Sequence, residues 1–174
     1  MASLFGSSES AQAAQAAQPL ASAADPNWDC PTVDIRTGAS TLQINAGRDA
    51  ASGLRYQASI ARVARECAVA GPSMTIKVGV QGRVILGQAG GPGQVEIPLR
   101  YALVREGPEP KTILTKLHRF PVIIADQSST PFLHVEEDIT FTVPRRIDLE
   151  NYVVYVGFDP AAPKEAPAKK RPSR

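Results

Sequence analysis

The stretch His134-Val135-Glu136-Glu137-Asp138 sets an imidazole beside three carboxylates. Successive side chains on a β-strand alternate between faces. His134, Glu136 and Asp138 are therefore expected on one face, with Val135, Glu137 and Ile139 on the other. Such a set suits calcium or zinc. Ligands from one flat strand diverge, however, and a loop would have to close the site. A charge run of this kind is ordinarily a solvated outer face. A zinc site drawn from Cys30, Cys67, His118 and His134 matches none of the compact zinc-ligand spacings.

Other chemistry finds less support. A nucleophile needs a base and an orienting partner close by. There is no GxSxG, and His118 and His134 lie in segments that read as strand interiors. No catalytic residue is nominated, no cofactor is expected, and the chain reads as a non-enzyme. The glycine-rich GQAGGPGQ, with Gly87, Gly90, Gly91 and Gly93, lacks the lysine and the following helix of a phosphate loop. A mobile hairpin loop that contacts a partner is the expected form. Lys169, Lys170 and Arg171 form a basic tail that suits anionic surfaces. Without interleaved aromatics it reads as a solvated tail, and no nucleic acid is expected as partner.

The only two cysteines, Cys30 and Cys67, show no CxxC spacing and have no third thiol beside them. That fits a structural disulfide better than a metal or redox motif. The alternative is two buried free thiols in a cytosolic protein. A disulfide implies an oxidising compartment.

These residues need a scaffold, and the punctuation of the chain supplies one. Residues 1–27 are a low-complexity Ala, Gln and Ser leader without an apolar stripe, expected to be disordered. Residues 161–174 carry repeated proline and a net charge of +4, and are expected to be a disordered basic tail. The folded domain is expected over 28–160. There TVDI, TLQI, MTIKVGVQGRVIL, VEIPLRYALV, TILTKLHRFPVII, FLHVEEDITFTV and YVVYVGF read as strands between turn signals. Met74, Ile76, Val78 and Val80 alternate against polar neighbours. Pro121 keeps its strand out of a central ladder position unless a bulge intervenes. The pattern predicts an all-β protein with two antiparallel sheets. LRYQASIARVARECAV, over residues 54–69, reads either as a helix or as a strand whose phase shifts at one bulge. The strand is preferred.

The start has no basic n-region and no long apolar run, and no segment reaches the roughly 18–20 apolar residues of a membrane helix. MASLFGSSESAQAAQ has the composition of a lipoprotein tether, which suggests a true start upstream with a lipidated cysteine. The low-complexity leader, with RYQASIARVARECAV, VGVQGRVILGQAGGPG and VPRRIDLENYVVYVGF, resembles proteobacterial envelope lipoproteins with an immunoglobulin-like β-sandwich. That resemblance implies a periplasmic or outer-membrane-associated location and carries over no functional residues.

The expectation is a structural or adaptor module that meets another envelope protein through the loop Gly87–Gly93 or the strand Phe132–Val143. Membrane anchoring would come from a lipid outside this chain. Two alternatives stand beside it: a periplasmic metal or small-ligand binder, and a cytosolic protein whose basic tail binds anions or nucleic acid.

Overall fold

The computed structural model describes residues 29–125 and 128–161. Lys169, Lys170 and Arg171 and most of both tails lie outside these residues. Eight strands form: β1 (Thr32–Ile35), β2 (Thr41–Asn45), β3 (Leu54–Ala70), β4 (Ser73–Leu86), β5 (Gly93–Arg105), β6 (Lys111–Ile124), β7 (Ser129–Thr142) and β8 (Tyr152–Phe158). They make a β-sandwich of two four-stranded sheets, ordered β1-β8-β5-β6 and β2-β3-β4-β7. Neighbours run antiparallel, except β1 and β8, which pair in parallel.

The period-2 pattern builds the core. Met74, Ile76, Val78 and Val80 all turn inward from β4 and are fully buried. Ile97, Leu99, Tyr101 and Leu103 of β5 face them, and Val154 and Val156 of β8 complete the layer. Burying each such aliphatic side chain favours the fold by about 1.5–3 kcal/mol. Pro121 falls on β6, which pairs only with β5, so its missing N–H is tolerated at a sheet edge.

The ambiguous segment 54–69 is strand. Its register with β4 runs Ile60↔Gly82, then Arg62↔Gln81, leaving Ala61 as an extra residue. Tyr56 and Ala58 are buried before that bulge and Cys67 after it, on the opposite parity. The apolar residues therefore stay on the core side of a strand that reads as helical only because its phase changes.

Cys30, just ahead of β1 in one sheet, is bonded to Cys67 on β3 of the other. The bond encloses a sequence separation of 37 residues, for which loop closure predicts about 3–4 kcal/mol of stabilisation.

The Gly87–Gly93 segment corrects one expectation. It is no hairpin, because β4 and β5 belong to different sheets. It is also tied down. Gly87 and Ala89 donate backbone N–H bonds to the carbonyls of Arg55 and Leu54, at 2.8 and 3.0 Å, and the Tyr56 hydroxyl donates to the Gly91 carbonyl at 2.8 Å. A Cβ at Gly87 would lie 2.1 Å from the Leu54 carbonyl oxygen, and one at Gly90 2.2 Å from that of Arg55. Backbone crowding of this kind demands glycine.

Candidate functional site

β6 and β7 are the edge strands of their respective sheets and lie on the same flank of the sandwich. No backbone ladder joins them, so side chains must close the flank. Alternation turns Lys116, His118 and Phe120 of β6 inward, and Phe132, His134 and Glu136 of β7 toward them. Tyr101 reaches the same place from β5.

Glu136 is the centre of this cluster. It is only 4% exposed and is the one buried charged residue found among the described residues. One carboxylate oxygen accepts from His118 Nε2. The other meets Lys116 Nζ at 3.3 Å and accepts the Asp138 backbone N–H at 2.8 Å. Burial pushes the Glu136 carboxyl upward, but the Asp138 amide, His118 and Lys116 outweigh it and hold the group below its ordinary value. The Tyr101 hydroxyl donates to His134 Nδ1 at 2.7 Å. Burial, with His118 next to it, lowers the His134 pKa and keeps that ring neutral and able to accept. Burial, and then the Glu136 charge, raise the Tyr101 phenol well above its usual range. The rings of His118 and His134 are 4.9 Å apart, and Phe120 stacks on His134 at 4.7 Å.

The expected face shared by His134, Glu136 and Asp138 is corrected here. Opposite Lys77, β7 carries two residues, Glu137 and Asp138: the register runs Ile76↔Ile139 and then Val78↔Glu136. This bulge leaves Asp138 on the outside, its side chain 75% exposed, while Ile139 returns to the core. The run is also not a solvated outer face, since Glu136 is buried. Among the described residues no group of three or more His, Cys, Asp or Glu side chains converges to hold a metal ion. Cys30 and Cys67 are committed to their disulfide, which removes them as zinc ligands alongside His118 and His134.

The cluster caps the bulge. Glu136 takes the Asp138 N–H, and Lys116 Nζ donates to the Asp138 carbonyl oxygen. An edge strand normally leaves such groups open to pairing. Here the edge is capped at Asp138 and interrupted by Pro131 on the other side. Between them lies Phe132–Glu136, with Leu133 (66% exposed) and Val135 turned outward. Ile123, 65% exposed, stands on neighbouring β6. Lys116, Tyr101 and Phe120 were not singled out from sequence. The signal for Lys116 and Phe120 was a parity shared with His118 and the buried Val122 and Ile124, and for Tyr101 a parity shared with the buried Ile97, Leu99 and Leu103.

Comparison with protein-family models, with curated proteins and with solved structures found no match, so the functional reading rests on the geometry of this chain.

Proposed function

We propose that this is a non-enzymatic binding module of an oxidising compartment, the cell envelope, and that it recruits another protein along the open edge of β7. The observation that carries the reading is the short unblocked window Phe132–Glu136 on an edge strand, with two exposed apolar side chains, Leu133 and Val135. An extended partner segment added there gains main-chain hydrogen bonds, and the outward side chains supply contact specificity. The capped backbone of Asp138 limits the register in which such a segment fits. The Cys30–Cys67 bond supports the compartment.

A photo-crosslinking residue placed at Leu133, with a control at exposed Gln43 on β2, tests this in native cells. One discrete adduct is expected from position 133, absent from position 43 and lost when Val135→Asp is added. Equal adducts at both positions, or an adduct indifferent to Val135→Asp, would refute the edge as the recognition surface.

A further inference from the structure

A second surface lies away from β7, on the outer face of the other sheet. There the turn Arg36–Ala39, β5 and the end of β8 enclose a cleft of about 390 Å³. The turn is closed by the Ala39 N–H donating to the Arg36 carbonyl, with Gly38 at φ +78° in the left-handed region. It is clamped to β8 at both ends, by Arg36 N–H to the Val156 carbonyl and Phe158 N–H to the Ala39 carbonyl, each 2.9 Å. Gly157 admits this approach, since a Cβ there would lie 2.5 Å from that of Ala39.

The first of those bonds carries Arg36 along the β1–β8 ladder to a place beside Gly157. Gly157 is in turn the register partner of Arg100 on β5. Two arginines thus flank one side-chain-free position in a single row across the sheet. Neighbouring strands lie about 4.8 Å apart, so the two arginine Cα atoms are separated by about 10 Å. That span suits two guanidinium groups converging on one bound group.

The two differ in how they are held. Arg100 is fixed: its Nε pairs with Asp159 Oδ2 and its Nη1 donates to Thr115 Oγ1 at 3.0 Å. Arg36 is exposed, and its guanidinium meets no carboxylate among the described residues. The carboxylate of Asp159 is matched by Arg100, and the Tyr155 hydroxyl is turned to Glu106 at 2.7 Å. Among the charged residues lining the cleft, Arg36 is therefore the one without an ion-pair partner, although the Asp34 and Glu106 carboxylates act on the Tyr155 phenol from beside the cleft. Thr37 lines the same wall. A planar guanidinium binds carboxylate or phosphate oxygens in two parallel bonds.

We infer that the Arg36–Arg100 cleft binds a small ligand through an oxyanion, carboxylate or phosphate. Arg36 supplies the free guanidinium and Arg100 a fixed second wall. This site is independent of the β7 edge and stands whether or not that edge recruits a partner.

The test is a titration of the whole ¹⁵N-labelled protein with inorganic phosphate and, separately, with acetate, at constant ionic strength. Saturable shifts are expected for the amides of Thr37, Gly38, Ala39 and Gly157 with at least one of the two anions. The responding anion identifies the group as phosphate or carboxylate. Charge-assisted hydrogen bonds contribute about 1.5–3 kcal/mol, so Arg36→Gln should weaken binding roughly tenfold or more. Arg36 is exposed, so the variant's melting curve should match the parent's, which separates lost binding from lost folding. Absence of saturation with both anions, or saturation unchanged in Arg36→Gln, would overturn the proposal.

Discussion

A carboxylate as buried as Glu136 is tolerated only when its lone pairs are matched, and here they are matched from three directions: His118, Lys116 and the Asp138 amide. Removing it strands all three. Lys116 and His118 both reach solvent, their side chains 33% and 39% exposed. The loss is therefore smaller than for a fully enclosed pair. Glu136→Ala is expected to cost about 2 kcal/mol and Glu136→Gln about half that, because the amide oxygen still accepts the Asp138 N–H. Urea denaturation at neutral pH checks both. Equal losses would mean that the charge, and not the amide contact, carries the whole effect. Tyr101→Phe removes one buried hydroxyl from His134 and is expected to cost about 1 kcal/mol without disturbing the core around it.

At the scale of the strand, the β7 bulge is a device with a testable consequence. Glu137 and Asp138 together oppose one residue, Lys77. Deleting Glu137 leaves Glu136 and Ile139 both facing inward, so the core phasing survives, but the edge becomes regular. The deletion variant is expected to fold with a modest stability loss of about 1 kcal/mol and to self-associate, as light scattering would register. Deleting Val135 instead would turn Phe132 and His134 outward, and that variant should not fold. A Glu137 deletion that unfolds like the Val135 deletion would show that the bulge sets the packing rather than blunting the edge.

The same strand explains how far the sequence could be read. Most strands were legible because one parity carried the apolar residues: Met74 to Val80 in β4 is buried as the alternation requires. In β3 the phase change was visible, because Tyr56, Ala58 and Ile60 alternate on one parity and Val63 and Cys67 on the other. In β7 it was hidden. Leu133, Val135, Ile139 and Phe141 share a parity and imitate an unbroken inner face, yet Leu133 and Val135 are exposed while Ile139 and Phe141 are buried. A bulge between exposed and buried apolar residues leaves no break in the pattern, so Glu136 was misplaced with Asp138. The cluster around it depends on β6 and β7 meeting across two sheets, which local periodicity does not encode.

At the scale of the molecule, the two sheets share a core and are joined differently on their two flanks. The Cys30–Cys67 bond ties one flank through the β1 entry and β3. The Tyr101, Lys116, His118, His134 and Glu136 cluster closes the other. The first is insensitive to mild acid, and the second is not. His134 has a folded pKa below its ordinary 6.5, so the unfolded chain takes up the proton more readily and stability falls as pH drops through that range. Glu136 is held below its ordinary 4.5, so its contribution is present above that value and is lost as pH falls further. Both shifts therefore predict destabilisation on going from pH 7 to pH 4. Replacing both Cys30 and Cys67 by Ser should cost about 3–4 kcal/mol at either pH. The flanks share no side-chain partner, so the acid and cysteine effects should add to within about 0.5 kcal/mol. Unfolding by urea at the two pH values, with and without the paired cysteine substitution, measures this directly. An acid effect that vanishes in Glu136→Gln, His134→Phe assigns it to the cluster. One that vanishes instead in the cysteine variant would mean that the flanks are coupled through the core and that the sandwich opens as a single unit.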